Sequence, residues 1–158
     1  MRSLLLCGAA LALLLGCEAG RGSASAPAAV DVAPTIPLTI QTSQGARRFS
    51  VEIARTEQEQ ERGLMFRTSL PENGGMIFPM HPPRPAAFWM KNTPLPLDII
   101  FIRADGSIAR IAPQAIPYSL DLIQVGEPVA AVLEIAGGAA DAAGIREGDR
   151  VSWADRAK

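Results

Sequence analysis

The chain has 158 residues, a usual size for a single domain, and 48% of them are hydrophobic. Its formal net charge is −1, which excludes the strongly basic balance of many nucleic-acid-binding proteins, so we expect no nucleic-acid partner. The 14 glycines and 13 prolines indicate many turns between short elements.

The beginning of the chain has the features of an export signal. Arg2 gives a positive start, and residues 4–15 form an apolar run of signal-peptide length, too short to span a bilayer. The run ends in Leu-Leu-Gly-Cys, which resembles a bacterial lipobox with Cys17 as the lipidated residue. We therefore expect a signal peptide over residues 1–16 and a lipid anchor at Cys17. The alternative is an ordinary secretory signal with an incidental cysteine.

A linker follows the expected anchor. Residues 17–34 are rich in small residues without apolar periodicity, which is typical of a flexible tether. Glu18 stands where an aspartate favours inner-membrane retention in enterobacterial lipoproteins. We therefore expect an exported protein of the cell envelope, held by its lipid at the periplasmic face of the outer membrane rather than of the inner membrane. Since the other cysteine is Cys7, within the signal, we expect neither a disulfide nor a cysteine site.

The remaining chain, residues 35–155, is predicted to form one domain. Residues 36–42 and 49–53 predict two strands of a hairpin. Thr56 and Glu59 form a capping box, which predicts a short polar helix ending at Gly63. The apolar residues 64–66 should then return to the interior.

The second half of the domain reads as short strands. A surface loop is predicted at 81–85, because its three prolines lack amide donors. The segment 116–125 is difficult to assign and is compatible with an extended strand. The remaining predictions are strands at 76–80, 88–90, 97–103, 107–112, 129–135 and 150–153, and one helical turn at 139–143. This pattern predicts a mostly β single domain, either a compact β-sandwich or an open barrel with one or two short helices; an α+β roll is the alternative.

Asp98 is the first candidate site residue. It stands in an apolar strand, so its carboxylate should lie at the margin of the core and needs a partner there. Arg62, Arg67, Lys91 and the amides of residues 91–93 are the expected partners. The carboxylate either binds or activates a ligand in a pocket, or it fixes the proline-rich loop.

Other polar side chains widen the candidate site. Glu134 is a second acid in an apolar strand, so Asp98 and Glu134 together suggest a hydrolase with paired carboxylates. Trp89 precedes Lys91, Asn92 and Thr93, a combination that suits a sugar or polar metabolite, although Trp89 is equally compatible with core packing.

The methionines suggest a third possibility. Thioethers with an imidazole suit Cu(I), and methionine also fills gaps in cores. The residues concerned are Met65, Met76, Met80, Met90 and His81. No spacing supports zinc, and we expect no resident cofactor.

The ordered motifs resemble one known family. They are RGLMFR from Arg62, GMIF from Gly75, FWMKNT from Phe88, PLDIIF from Pro96 and VLE from Val132. Together they are similar to the domain-of-unknown-function 192 family, also called uncharacterised protein family 0127, over residues 49–151. The resemblance implies a compact β-sandwich or barrel in a small exported protein, with no established activity. It also implies that the matching polar positions converge on one pocket; these are Arg62, Arg67, Lys91, Asn92, Thr93, Asp98 and Glu134.

The leading hypothesis from the sequence is a lipid-anchored binding module for a small polar ligand or a protein partner. The candidate binding residues are those seven positions together with Trp89. The hydrolase with paired carboxylates and the Cu(I)-binding protein remain as alternatives.

Overall fold

A computed structural model describes residues 34–154. The predictions of a signal peptide and of lipidation at Cys17 lie outside these residues, as does nearly all of the tether. Within residues 34–154 no helix is long and apolar enough to cross a membrane.

The fold is mostly β, which confirms the predicted class: strands account for 49% and helices for 8% of the residues that the structure describes. The helices are α1 (Glu57–Arg62) and α2 (Ala139–Ala142). The strands are β1 (Thr35–Thr42), β2 (Gly45–Ile53), β3 (Gly74–Arg84), β4 (Ala87–Phe88), β5 (Leu97–Ile102), β6 (Ile108–Ala115), β7 (Ile123–Gln124), β8 (Val129–Ala136) and β9 (Arg150–Trp153).

Seven of these strands form one open sheet, in the order β6-β5-β8-β3-β2-β1-β9. All neighbours in it are antiparallel except β2 and β3, which are parallel and joined through α1. The short strands β4 and β7 pair separately. The central strands β5, β8 and β3 therefore provide the floor on which the site is built.

The sheet buries a different apolar cluster on each face, because side chains alternate along each strand. The first, the α2-side core, includes Ile100, Ile135 and Ala140. The second, the pocket-side core, includes Phe78 and Phe101. All six residues of β5 are buried, so this strand supplies both cores.

Local signals placed several elements correctly. The predicted capping box is present: Glu59 N donates to Thr56 Oγ1 at 3.2 Å, and Thr56 N donates to Glu59 Oε2 at 2.9 Å. The hairpin of β1 and β2 and the hairpin of β5 and β6 both form. Strand β9 has the predicted bounds.

Two local predictions were wrong. Residues 81–84 extend β3 instead of forming a loop. The sheet tolerates their prolines because its register shifts between Pro79 and Arg84, and because residues 81–84 are exposed. Phe66 does not return to the interior with Leu64, since its side chain is 69% exposed.

Candidate functional site

A cavity of about 830 Å³ opens on the pocket side of the sheet, between α1 and the loops around β4. Its walls bring together six of the eight candidate binding residues. These are Arg62, Trp89, Lys91, Asn92, Thr93 and Glu134.

Backbone hydrogen bonds join three chain segments at the mouth of this cavity. Phe66 N donates to Asn92 O at 2.8 Å, which connects the segment after α1 to the loop after β4. That loop is joined in turn to the segment after β6, because Tyr118 N donates to Thr93 O at 3.2 Å and Met90 N donates to Ser119 O at 2.9 Å. The mouth is therefore held by main-chain contacts, whatever its side chains bind.

Each of the three segments contains one residue with a left-handed backbone. The φ angles are 64° at Phe66, 54° at Asn92 and 62° at Tyr118. This conformation is unusual for residues other than glycine; asparagine tolerates it best, whereas bulky side chains such as those of Phe66 and Tyr118 rarely adopt it. Strain of this kind costs about 1–3 kcal/mol for each residue and concentrates at functional sites. The cluster thus points to this cavity independently of its polar residues.

The same segments present an unusual amount of apolar surface. Six large apolar side chains are exposed in the described domain, and we call them the apolar rim: Phe66, Trp89, Ile116, Tyr118, Leu120 and Leu122. Three of these side chains, those of Phe66, Trp89 and Leu122, also line the cavity. Grouped exposed apolar side chains typically mark an interaction site.

Glu134 lies at the floor of the cavity. In β8 it stands opposite Met76 of β3 and Ile99 of β5, so its side chain points to the pocket side of the sheet. It is only 5% exposed, and burial raises the pKa of its carboxyl to about 8. No group within residues 34–154 donates a hydrogen bond to this carboxyl. Glu134 is therefore a buried acid that faces a cavity without a protein partner.

Cations surround the mouth above this acid. The Lys91 Nζ atom lies 5.1 Å from the ring centroid of Trp89, a cation–π geometry. Arg62 closes the last turn of α1 and is exposed. Neither Lys91 nor Arg62 forms an ion pair with another residue of the described domain.

Thr93 has a structural part in the wall. Its Oγ1 atom donates to Lys91 O at 3.1 Å, which closes a tight turn in the loop, and the residue is buried. The amide of Asn92 contacts Met65 Sδ at 3.8 Å. The loop therefore presents Lys91 and Asn92 to the cavity from a fixed backbone.

Asp98 lies away from the cavity, and its predicted partners were wrong. Its side chain points to the α2 side and accepts three backbone hydrogen bonds of 2.8 Å each, from Gln114 N, Gly138 N and Ala140 N. Asp98 is 1% exposed. The carboxylate thus joins β6 and the start of α2 to β5, and it contacts neither the arginines nor the loop at 91–93.

The strand register separates the two acids that were considered as a catalytic pair. In the β5–β8 ladder Asp98 stands opposite Ile135, and Glu134 stands opposite Ile99. Directly paired residues share a face of the sheet, so Asp98 and Glu134 lie on opposite faces. The hydrolase hypothesis, which required both acids in one cleft, is wrong.

Arg67 also lies outside the cavity walls. Its guanidinium forms a bidentate ion pair with Glu52 of β2, with nitrogen–oxygen distances of 2.5 and 2.6 Å. This arrangement assigns Arg67 to the connection between the segment after α1 and β2.

The methionines mainly pack the pocket-side core. Met76, Met80 and Met90 are all buried there, which is the packing alternative considered from the sequence. Met65 lines the cavity wall. His81 is exposed and follows Met80 directly in β3, so its side chain points to the opposite face. In the described domain no three histidine, cysteine or acidic side chains are grouped as metal ligands.

Apart from Trp89, the residues of the apolar rim were missed by sequence reasoning. The apolar residues of segment 116–122 alternate with polar ones, and this alternation is normally a sign of burial. No sequence signal marks the left-handed residues at Phe66 and Tyr118, since both are residue types that avoid this conformation.

Comparisons with known proteins agree with the motifs. The DUF192 family model, described as "Uncharacterized ACR", matches residues 39–153. No curated protein matches the chain. A crystal structure of a protein of unknown function from Novosphingobium aromaticivorans is 46% identical, with 82% of this chain and 94% of that chain covered and a TM-score of 0.76. The crystal structure of a putative transcription regulator from Sinorhizobium meliloti matches at 38% sequence identity. The match covers 78% of this chain and 97% of that chain, with a TM-score of 0.74.

Proposed function

The chain belongs to the DUF192 family of uncharacterised proteins, and we propose that its domain is a binding module for a small polar ligand. The observation that carries the proposal is the carboxyl of Glu134, which is 5% exposed, faces the cavity and has no donor within the described domain. A buried polar group without a partner is unfavourable by about 1–3 kcal/mol. A ligand that donates to Glu134 removes this cost. The cavity volume, about 830 Å³, falls in the range of small-molecule sites.

The walls supply the other requirements of a binding site. Lys91 provides a positive charge above the ring of Trp89, and Asn92 provides an amide. Apolar walls with a few fixed polar groups are typical of small-molecule sites, because the walls give contact area and the polar groups orient the ligand. The pre-formed backbone around Thr93 reduces the ordering that binding would require.

We also propose that this module is held at the cell envelope. The support is the sequence pattern of residues 1–34, which predicts an export signal, resembles a lipobox at Cys17 and continues as a tether. Replacement of Cys17 by serine should move the protein from the membrane fraction to the soluble fraction. Retention of the Cys17→Ser variant in the membrane would contradict the lipid anchor.

The description of the Sinorhizobium meliloti relative as a putative transcription regulator does not lead us to propose nucleic-acid binding for this chain. The formal net charge of the present chain is −1, which gives no overall attraction to the phosphates of a nucleic acid.

The binding proposal is tested by a compound screen that is read by protein NMR. We expect hits to shift the signals of the cavity walls, and to bind at least tenfold more weakly to a Lys91→Ala, Asn92→Ala double variant. Arg48→Ala is the control, because Arg48 is an exposed cation of β2 away from the cavity. If every hit binds the double variant as tightly as the control, this cavity is not the binding site.

A further inference from the structure

We infer that the ligand is a zwitterion, an amino acid or short peptide with an apolar side chain, whose ammonium group meets Glu134 and whose carboxylate meets Lys91 and Arg62. This inference rests on the proposed function and assigns a chemical class to the ligand of the same cavity.

Glu134, at the floor of the cavity, favours a ligand group that both donates hydrogen bonds and carries positive charge. An ammonium group both donates hydrogen bonds to the Glu134 carboxyl and compensates the charge that burial disfavours. Because burial raises the pKa of the Glu134 carboxyl to about 8, this carboxyl is mostly protonated at neutral pH in the ligand-free protein. A bound ammonium group favours the ionised carboxylate, so binding should release that proton.

The mouth calls for an anion. The charged side chains that line the cavity besides Glu134 are Glu61, Arg62, Arg84 and Lys91, so three cations face one acid at the entrance. Arg84 is directed in part to Gln60, with a distance of 3.4 Å to Oε1. Lys91 and Arg62 remain as the cations with neither an ion pair nor a side-chain hydrogen bond to another described residue.

This separation of charge discriminates between classes of ligand. A simple cation would have to pass a positively charged entrance to reach the floor. A simple anion would satisfy the entrance but leave the buried carboxyl without a partner. A zwitterion satisfies both ends at once, provided that its ammonium group enters first.

The walls between the two ends select an apolar side chain. Phe88 packs edge-on against Phe78, with ring centroids 5.0 Å apart, and both line the cavity. Trp89 and Leu122 continue this apolar wall to the mouth. A cavity of about 830 Å³ accommodates a free amino acid and also a di- or tripeptide, so the length of the ligand is decided by experiment.

Calorimetric titration with leucine, leucyl-leucine and trileucine tests the inference. At least one of the three should bind, and its length identifies a free amino acid or a peptide as the ligand. The binding probe should lose at least tenfold in affinity when its amine is acetylated, and likewise when its carboxylate is converted to an amide. Equal binding of either blocked form overturns the inference. So does the absence of binding by all three probes at concentrations about tenfold above a Kd of 1 mM, which already corresponds to weak binding.

Protein variants locate the two ends of the ligand. Glu134→Gln should weaken the zwitterion at least tenfold and abolish the proton release that is measured by titration in buffers of different ionisation enthalpy. Lys91→Met, at an exposed position, should weaken the free carboxylate form but leave the amide form unchanged. Glu72→Gln, an exposed acid outside the cavity, is the control and should change neither. Unchanged affinity in both cavity variants overturns the inference.

The two proposals fail separately. If hits from the compound screen depend on Lys91 and Asn92 but no zwitterionic probe binds, the cavity is a binding site for another chemical class. If those hits are independent of Lys91 and Asn92, the binding proposal itself fails.

Discussion

The carboxylate Oδ2 of Asp98 lies 2.8 Å from the amide nitrogen of Ala140, in the only turn of α2. Its other oxygen, Oδ1, accepts from the amides of Gly138 and Gln114. Gln114 has a left-handed backbone, with φ of 47°. One buried carboxylate therefore holds the start of a helix too short to be stable alone and a strained residue of β6.

Replacement of Asp98 by asparagine should destabilise the domain by about 3 kcal/mol or more. The shape is nearly unchanged, but one acceptor oxygen becomes an NH₂ group that faces amide donors, and bonds to a charged group each contribute about 1.5–3 kcal/mol. The free energy of unfolding in urea measures the loss. Asp121→Asn is the control, because Asp121 is exposed and its side chain is hydrogen-bonded only to Ser119 among the described residues. Equal stability of Asp98→Asn and the wild type would show that the three bonds are not needed.

The burial of Asp98 could be predicted from the sequence, but its hydrogen-bond partners could not. The apolar residues around Asp98 predicted that its carboxylate lies against the core and needs a partner, and Asp98 is 1% exposed and fully hydrogen-bonded. The donors come from residues 16 to 42 positions further along the chain, in elements whose docking depends on the whole sheet. Local patterns do not contain such long-range pairing, so the nearby arginines and Lys91 were expected instead.

The same limit applies to the site. The motif that contains Trp89, Lys91 and Asn92 could be recognised from the sequence, and the structure places all three at one cavity. Which acid joins them depends on strand register, because a shift of one residue moves a side chain to the other face. The register of β5 against β8 places Glu134, not Asp98, on the side of the cavity.

Arg67 and Glu52 should behave as a structural pair. Their bidentate geometry and partial burial, with side chains 35% and 13% exposed, favour a coupling energy of about 1 kcal/mol. A double-mutant cycle with Arg67→Ala and Glu52→Ala, followed by urea unfolding, measures it. The pair of Arg146 and Asp141 is a suitable comparison, because both side chains are mostly exposed and should couple less strongly. The assignment would be wrong if the two cycles gave equal energies.

The domain should be more stable with glycine at position 66 than with alanine. The φ angle of 64° at Phe66 favours glycine, and the Phe66 side chain is mostly exposed, so its removal sacrifices little burial. We expect the free energy of unfolding of the Phe66→Gly variant to be about 1 kcal/mol higher than that of Phe66→Ala. Position 58 in α1 is the control: there Gln58→Ala should be the more stable by about 1 kcal/mol, because glycine disfavours helix. The same order of stability at both positions would contradict the strain at Phe66.

Glu134 should make the domain less stable as the pH rises. Its carboxyl has a pKa of about 8 in the folded protein against an ordinary value of 4.5, so between these values the folded state keeps a proton that the unfolded chain releases. The free energy of unfolding then falls by up to about 1.4 kcal/mol for each pH unit. Glu59 and Asp105 act in the opposite sense at lower pH: hydrogen bonds from backbone amides lower their pKa values, so their stabilisation is lost as the pH falls.

The difference between wild type and Glu134→Gln isolates this effect, because the contributions of Glu59 and Asp105 cancel in it. The two proteins should be similar in stability at pH 4.5, and the variant should become the more stable by about 3 kcal/mol at pH 7, since glutamine cannot ionise. Urea unfolding at a series of pH values measures both curves, and Glu72→Gln should follow the wild type. Parallel curves for wild type and Glu134→Gln would mean that Glu134 ionises as freely in the folded state as in the unfolded chain. A ligand that supplies an ammonium group should flatten the wild-type curve, because it stabilises the ionised carboxylate that burial alone disfavours.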